Sequence, residues 1–295
     1  MTVTAGNPAL NALARLQHVD PAVPALEVDG ALKVFHTRPG IFNRMRGRGE
    51  HGRRIVAVDH ISLTVARNEI FGILGPNGTG KSTLIRLIST LLIPDGGAIR
   101  VFGLDVVEHE SLVKPLINRV SVEASFFKKL SPMENLMYGA RMYGLDGRTA
   151  RRGIVEILRR MGLEERSIWS PMEDMSRGMQ QKVAVARAFL TSPVLLLLDE
   201  PTTGLDPHSK REVQAFVREI REQHDATVLL TTHDMAEAEA LCDRIAIIDQ
   251  GKLVALGTAA ELKRLVPPVN GSEPSIEDVF LALTGKRLEQ EEVPL

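Results

Sequence analysis

The apolar positions of this chain repeat with two different periods. In residues 25–35 and 55–65 they alternate or are β-branched, which predicts two strands. From residue 69 onward, short apolar runs alternate with amphipathic stretches, beginning with a strand at 70–74 and a helix at 81–92. Further strands are predicted at residues 99–102, 119–122, 194–199, 227–231, 245–249 and 252–257. Strands that alternate with helices favour a parallel sheet covered on both faces, so the predicted fold class is α/β.

Residues 131–190 interrupt this alternation, because they contain helical runs and offer no strand. Helices are predicted at residues 132–142, 149–161 and 176–189, so we interpret a stretch of about 124–190 as a helical insertion. Two more helices follow the last strand. The predicted organisation is a flexible leader over residues 1–24, one domain over residues 25–285 and an acidic tail over residues 286–295.

Composition limits the classes of protein to which the chain can belong. Of its 295 residues, 44% are hydrophobic and 25% are charged, which excludes disorder over most of the length. The single cysteine, Cys242, excludes a disulfide scaffold, and 36 basic against 37 acidic residues leave no basic footprint for nucleic acid. No apolar run approaches the roughly 20 residues of a membrane-spanning helix. We therefore expect a protein that reaches a membrane only through a partner.

One segment departs from this even balance of charge. Residues 36–54 carry six arginines and a single acidic residue, Glu50. A charged run of this kind between two strands is commonly a solvated loop. The alternative is a surface that contacts anionic lipid headgroups or an acidic loop of a partner.

The segment GPNGTGKST matches the pattern G-x-x-x-x-G-K-[ST] of a phosphate-binding loop, with a predicted strand before it and a predicted helix after it. Its glycines let the backbone wrap phosphate groups, and its amides supply hydrogen-bond donors at the helix N-terminus. Lys81 is placed to reach the β- and γ-phosphates, and the Ser82 hydroxyl to bind Mg²⁺. The predicted binding residues are Gly75, Pro76, Asn77, Gly78, Thr79, Gly80, Lys81, Ser82 and Thr83.

The run VLLLLDEP predicts a central strand that ends in two carboxylates. Its continuous apolar character suits a strand buried on both faces. Asp199 and Glu200 then lie at the carboxyl end of that strand, where open α/β sheets bind their ligands. Asp199 suits a carboxylate that holds Mg²⁺, and Glu200 suits the group that polarises an attacking water. An isolated acidic pair would more simply be solvated, but a phosphate loop is present on the same chain.

Two further segments carry little information when each is taken alone. MSRGMQQK, at residues 175–182, opens a predicted helix that Ser176 can cap, so a capped helix explains it. TTHDM places His233 just after a predicted strand, and a lone histidine is more often structural than catalytic.

The order of the four motifs is more specific than any one of them. A phosphate loop, then MSRGM, then LLLLDEPTTGLDP, then TTHDM resembles the ATP-binding subunit of ABC transporters, over about residues 26–285. The resemblance implies a P-loop NTPase core with a mostly parallel sheet, an N-terminal antiparallel β-subdomain and an inserted α-helical subdomain. It also implies that residues 75–83 bind ATP and that the protein is an ATPase.

The roles that the resemblance implies fall on individual residues. Lys81, Glu200 and His233 resemble the catalytic residues, with Glu200 as the catalytic glutamate and His233 as the switch histidine at the γ-phosphate. Ser82 and Asp199 resemble the Mg²⁺-binding pair. Phe35 occupies the position of an aromatic ring that stacks on adenine, although Phe42 competes for this role. Asp206, within TTGLDP, lies in the loop between two facing subunits.

The chain departs from the pattern of the family at two places. The signature is usually LSGGQ, and here Arg177 replaces the first of its glycines and Met179 replaces its glutamine. Ser176 and Gly178, the residues that contact the γ-phosphate from the opposite subunit, are retained. A glutamine is also expected near RVSVEASFF, where this chain has Glu123 instead. We expect Glu123 to lie near Mg²⁺, or alternatively to face solvent or pair with Lys128 or Lys129.

The C-terminal sequence SIEDVFLALTGKR is similar to that of drug- and polymer-exporting subunits, which pair with a separate type 2 membrane permease. An ordinary amphipathic closing helix is the alternative. The expected partners are ATP with Mg²⁺, a second copy of the chain and such a permease at the cytoplasmic face of the membrane; no nucleic acid is expected. A soluble ABC ATPase that remodels nucleic acid or a protein complex, or an importer subunit, remain competing interpretations.

Overall fold

The structure is a computed structural model that describes residue 20 and residues 22–36, 54–121, 125–268 and 272–285. Its strands in this part of the chain are β1 (Leu26–His36), β2 (Arg54–Val65), β3 (Ile70–Leu74), β4 (Gly96–Val101), β5 (Leu104–Asp105), β6 (Ile117–Val120), β7 (Leu195–Asp199), β8 (Thr227–Thr232), β9 (Arg244–Asp249) and β10 (Lys252–Gly257). They form two sheets. One is antiparallel with the order β2-β1-β4-β5, and the other has the order β10-β9-β3-β8-β7-β6.

The second sheet is parallel except at one edge, where β10 returns antiparallel to β9. In β7 the side chains of Leu195 to Leu198 are completely buried, because both faces of this central strand are covered. Alternate leucines serve the two faces: Leu195 and Leu197 pack toward the antiparallel sheet, and Leu196 and Leu198 pack toward the helices on the other side.

Helices cover both faces of this sheet, and the inserted helices lie in the sequence between β6 and β7, two strands that pair directly with each other. The helices are α1 (Lys81–Ile88), α2 (Glu110–Val113), α3 (Pro132–Met142), α4 (Gly147–Arg160), α5 (Glu165–Trp169), α6 (Arg177–Phe189), α7 (Pro207–His224), α8 (Met235–Leu241), α9 (Ala259–Lys263) and α10 (Ile276–Thr284), with a 3₁₀ turn at Met172–Asp174. Helix α1 lies between the two sheets, with Leu84, Ile85, Leu87 and Ile88 fully buried. The fold prediction is thereby confirmed: an α/β core, an N-terminal antiparallel sheet and inserted helices.

Sequence signals at the helix starts agree with the structure. Ser131 caps α3 in a reciprocal capping box with Glu134, and Asp146 caps α4. Helix α6 begins at Arg177, with Ser176 as its N-cap, and α7 begins after the N-cap Asp206. Each cap accepts a backbone N–H of the first turn, which removes one unpaired donor from the helix end.

Several predicted bounds are wrong by a few residues. The helix predicted to Leu92 ends at Ile88, because Thr90 takes a left-handed φ of 62° and the Leu91 amide bonds back to the Arg86 carbonyl. The strand predicted at residues 99–102 begins at Gly96, and the one predicted at 119–122 spans Ile117–Val120. The short β5 and α2 were not predicted, since elements of two and four residues show no period.

Some predictions lie outside the described residues. These include most of the leader, nearly all of the basic segment with Phe42, the acidic tail, and Glu123 with its neighbours Val122 and Ala124. The competing alternatives for the basic segment and for Glu123 therefore remain predictions. Within the described residues, none of the helices combines the length and the apolar character needed to cross a membrane.

Candidate nucleotide-binding site

The phosphate loop joins the buried strand β3 to helix α1. It packs closely against the backbone of two neighbouring strands, β2 and β9. A Cβ atom at Gly80 would lie 2.0 Å from the carbonyl oxygen of Ala57, and one at Gly75 would lie 2.3 Å from the oxygen of Ile248. Gly80 also has a φ of 103°, in the region that favours glycine. Both glycines are therefore required by close packing as well as by the path of the loop.

Lys81 is anchored inside this loop. Its Nζ donates hydrogen bonds to the carbonyl oxygens of Gly75 at 2.7 Å and Pro76 at 3.0 Å, and the side chain is only 3% exposed. The Thr79 hydroxyl also donates to Pro76, at 2.9 Å. These bonds fold the loop around the ammonium group, so its charge is held where the loop amides would meet a phosphate.

Asp199 ends the central strand beside the start of α1. Its Oδ1 accepts hydrogen bonds from the Ser82 hydroxyl at 2.9 Å and from the Thr231 hydroxyl at 2.8 Å. Mg²⁺ commonly takes one or two protein oxygens together with substrate phosphates and waters, and these hard oxygen donors fit that requirement. Among the described residues, no group of three or more histidine, cysteine or acidic side chains is placed to hold a metal ion.

Glu200 is the centre of a compact cluster. Its Oε1 lies 3.2 Å from Lys81 Nζ, its Oε2 lies 3.2 Å from His233 Nδ1, and the Thr203 hydroxyl donates to Oε2 at 3.0 Å. The backbone N–H of Glu200 is shared by the carbonyl and the hydroxyl of Thr231. Glu200 has a φ of 49°, an uncommon conformation for a residue other than glycine and one that clusters at functional sites.

Electrostatics keeps this carboxyl group ionised. Burial raises the pKa of Glu200, but the hydrogen bond with His233 and the positive charge of Lys81 outweigh burial and lower that pKa to about 2. In the opposite sense, burial lowers the pKa of Lys81 against the attraction of Glu200. At neutral pH Glu200 is therefore a carboxylate that can accept a proton.

A cleft of about 270 Å³ opens over the phosphate loop. Its lining contains Ile55, Val56, Ala57, Asn77, Gly78, Gly80, Lys81, Ser82, Thr83, Glu200, Gln250 and Gly251. Phe35 is not in this lining, although it is 37% exposed and lies opposite Ile55 in the pairing of β1 with β2. Its ring therefore stands at the margin of the cleft, one strand away from the lining.

The signature residues lie apart from this cleft. Ser176 accepts the Met179 N–H at 3.2 Å as the N-cap of α6, and both Ser176 and Arg177 are exposed. Gly178 is buried against the start of α7, where a Cβ would lie 3.0 Å from the Ser209 hydroxyl and 3.6 Å from an Asp206 carboxylate oxygen. The signature and the loop containing Asp206 thus form one continuous surface of the chain.

The structure brings Lys81, Ser82, Asp199, Glu200 and His233 together. It places Ser176, Arg177, Gly178 and Met179 with Asp206 elsewhere. Phe35 lies with neither group, on the strand next to Ile55 of the cleft lining. The sequence predicted no role at the site for Thr231 or Thr203. Thr231 carried a signal in the sequence, because it is the first of two threonines that end the apolar run at residues 228–230, and the structure buries it completely.

Taken together, a phosphate loop, a strand-end carboxylate pair and a parallel sheet define a P-loop nucleotide-binding protein. The sequence profile described as ABC transporter matches residues 58–203. The chain is 40% identical to the daunorubicin/doxorubicin resistance ATP-binding protein DrrA of Streptomyces peucetius, over 81% of this chain and 67% of that protein. It is 36% identical to the ABC transporter ATP-binding protein NatA of Bacillus subtilis, over 70% of this chain and 84% of that protein.

Solved structures agree with these sequence matches. An ATP-binding subunit of an ABC transporter superposes with a TM-score of 0.71 at 28% identity, covering 88% of this chain and 99% of that chain. A dimeric ATP-binding cassette solved with ADP and phosphate superposes with a TM-score of 0.69 at 24% identity, over 79% and 98%, and shares the fold. The chain belongs to the ATP-binding subunits of ABC transporters and is an ATPase.

Proposed function

We propose that this chain is the subunit that energises an ABC exporter, by binding and hydrolysing ATP in a head-to-tail dimer. The observation that carries the proposal is the cluster in which Glu200 contacts both Lys81 and His233 beside the phosphate loop. The exporter assignment is supported by similarity to proteins named for resistance to daunorubicin and to linearmycin; the latter, LnrL of Bacillus subtilis, is 40% identical over 72% of this chain and 67% of its own length.

Hydrolysis requires a positioned water, a base and stabilisation of the developing charge. Glu200 is the proposed base, because it is ionised and fixed on a strand end by the Thr231 hydrogen bonds. Lys81 and the loop amides offset charge on the phosphate oxygens, and His233 orients the same oxygens. Mg²⁺, bound with ATP by Ser82 and Asp199, would add charge stabilisation. Most of the rate enhancement then comes from position and electrostatics.

The separation of the two groups of residues supports the proposed dimer. Ser176 and Gly178 belong to the signature but do not line the cleft above their own phosphate loop. We propose that they contact ATP bound to a second copy, with Asp206 at the same interface. Two-fold symmetry then buries two ATP molecules between identical surfaces. The proposed interface would include Arg177, which is exposed between Ser176 and Gly178 and packs beside Gly204 of its own chain.

A separate membrane permease is the second proposed partner. A groove of about 350 Å³ beside α3 exposes large apolar side chains, including Phe127, Tyr138 and Met142, of which Met142 is 72% exposed. Exposed apolar patches of this kind mark protein contact sites, so we assign the groove to a cytosolic loop of the permease. Docking there would hold the chain at the cytoplasmic face of the membrane.

Co-purification of the full-length chain with a tag tests this proposal. The expected result is a complex with a polytopic membrane protein whose presence raises ATP turnover, and exchange of Met142 or Tyr138 for a charged residue should release it. Recovery of RNA or of a soluble complex instead would favour the remodelling ATPase, and uptake rather than efflux by vesicles containing the complex would favour an importer.

A further inference from the structure

Glu237 is a buried carboxylate that the mechanism above does not use. It lies in the first turn of α8 and is 2% exposed. Buried carboxylates are costly unless hydrogen-bonded or paired with a cation. In the described part of the chain, the hydrogen-bond donors to the Glu237 side chain are hydroxyl and amide groups rather than cations.

Three segments converge on this one side chain. The Thr202 hydroxyl donates to Oε1 at 2.6 Å, the Thr232 hydroxyl donates to Oε2 at 2.7 Å, and the Gln214 amide donates to Oε1 at 3.3 Å. Thr202 follows Glu200 by two residues, and Thr232 directly precedes His233. Gln214 belongs to α7, whose N-cap is Asp206.

The bond to Thr232 also fixes the backbone on both sides of His233. The Thr232 hydroxyl donates to Glu237 and accepts the Asp234 N–H at 3.0 Å, so it spans the histidine. Asp234 in turn caps α8 by accepting the Glu237 N–H at 2.8 Å. This closed ring of hydrogen bonds leaves the His233 loop little freedom relative to α8.

A second contact joins α7 to the same loop. Lys210, in the first turn of α7, forms an ion pair with Asp234. Helix α7 therefore reaches the His233 loop through Lys210 and through Gln214. These contacts join the start of α7, where Asp206 lies, to the segments that carry Glu200 and His233.

We propose that Glu237 is a positioning residue that fixes Glu200 and His233 relative to each other and couples both to the dimer-facing start of α7. The inference rests on the roles proposed for Glu200 and His233. A carboxylate suits this task because its two oxygens accept from two hydroxyls and an amide at once. A glutamine at this position offers one acceptor oxygen, so one hydroxyl would lose its acceptor.

The test compares ATP hydrolysis by the purified full-length chain and by two variants, Glu237→Gln and Thr232→Val. We expect kcat to fall at least about tenfold in each, since displacements near 1 Å at a catalytic group cost up to about a hundredfold. We expect KM for ATP to change less than about twofold, because the phosphate loop contacts are untouched.

A third variant separates positioning from folding. Glu69 is also a buried carboxylate, just before β3 and at the end of that strand away from the phosphate loop. Glu69→Ala should lower the thermal unfolding midpoint, because it removes the acceptor of the Ala66 N–H, without lowering kcat. In a His233→Ala background, Thr232→Val should produce no further loss of kcat, because the group that it positions is gone, whereas the two losses of stability should add.

The outcomes distinguish this inference from the proposed function. Normal turnover in Glu237→Gln and Thr232→Val, with turnover lost in Glu200→Gln and His233→Ala, would overturn this inference and leave the proposed function intact. Two other results would also overturn this inference. One is an additive loss of kcat in the double variant with Thr232→Val and His233→Ala; the other is a loss of kcat in Glu237→Gln or Thr232→Val that only matches the loss of folded protein. Normal turnover in Glu200→Gln would first overturn the proposed function on which it depends.

Discussion

Lys81 Nζ and Glu200 Oε1 lie 3.2 Å apart, and both side chains are almost completely buried. The pair connects the two motifs that the sequence places far apart, the phosphate loop and the end of β7. Breaking one member of a buried pair leaves the other uncompensated, which costs far more than the loss of a surface salt bridge. Variants at these two positions must therefore be judged by ATP binding and stability together with turnover.

Replacing Glu200 by glutamine should abolish the base while keeping its shape. We expect kcat to fall by at least about a hundredfold, the range for removal of a general base, with MgATP binding retained. Because the nucleotide then persists, the variant should accumulate as a dimer in the presence of ATP. Size-exclusion chromatography with and without ATP measures this. A variant that turns over ATP at the normal rate would exclude Glu200 as the base.

Replacing Lys81 by alanine should act on binding first. The substitution removes a charge-assisted contact to phosphate, so ATP affinity should fall by at least about tenfold. It also leaves Glu200 buried without its cation, and some loss of stability is expected. Equilibrium titration with a fluorescent ATP analogue measures the affinity. Unchanged affinity would show that Lys81 does not contact the nucleotide.

Alanine at Gly80 should distort the phosphate loop. Its Cβ would meet the Ala57 carbonyl at 2.0 Å, and the φ of 103° is strained for alanine, so we expect a loss of roughly 1–3 kcal/mol in the free energy of unfolding. Gly153, inside α4, is the matched control, because nothing lies within 4 Å of a Cβ there. Gly153→Ala should be neutral or stabilise the chain. Urea unfolding separates the two, and equal effects would contradict the close packing at Gly80.

The lowered pKa of Glu200 predicts a dependence of stability on pH. A carboxyl group whose pKa is lower in the folded state contributes stability above its unfolded pKa, near 4.5, and loses it as the pH falls toward about 2. The stability advantage of the wild type over Glu200→Gln should therefore shrink by about 1 kcal/mol between about pH 6 and about pH 3.5. Urea unfolding at both pH values provides the measurement. An advantage that grows on acidification would show that the shift has the opposite sign.

The sequence predicted those parts of the molecule in which a local pattern determines the structure. The strand at Ile70–Leu74 and the helix at Pro132–Met142 have their predicted bounds, because a wholly buried strand shows as a continuous apolar run and a capped amphipathic helix shows its 3.6-residue period. The C-terminal end of α1 was predicted wrongly. The residue with a left-handed φ after this helix is Thr90, and only a glycine there would have marked the helix end in the sequence. Helix ends of this kind are set by packing between the two sheets, which lies beyond any local window.

At the site, the sequence supplied the residue types but not their mutual contacts. Asp199 and Glu200 were identified from a strand end, but the two Thr231 contacts that hold them depend on the pairing of β7 with β8. Glu237 gave no signal at all, because one glutamate in a helix rich in alanine and glutamate is ordinary. Its burial arises from the convergence of α7, α8 and β8, which is a property of the tertiary fold.

The separation of the signature from the cleft predicts that two inactive variants can complement each other. Lys81→Ala disables the phosphate loop, and Gly178→Asp places a carboxylate beside Ser209 and Asp206, where even a Cβ is crowded at 3.0 Å. In a head-to-tail dimer, a mixed pair combines the intact phosphate loop of one chain with the intact signature of the other. An equal mixture should then recover about a quarter of the wild-type sites, since half of the dimers are mixed and each contains one complete site.

The measurement is ATP hydrolysis by each variant alone and by the mixture, after thermal unfolding has confirmed that both variants are folded. A mixture of Lys81→Ala with Glu200→Gln is the matched control. Both of these changes affect the same cleft, so every site in their mixed dimer still lacks one of the two residues, and no recovery is expected. If the first mixture stays as inactive as its components although mixed dimers are isolated, Gly178 does not act on the nucleotide of a second copy. The signature would then have to reach ATP within its own chain, which requires α6 to move toward the cleft.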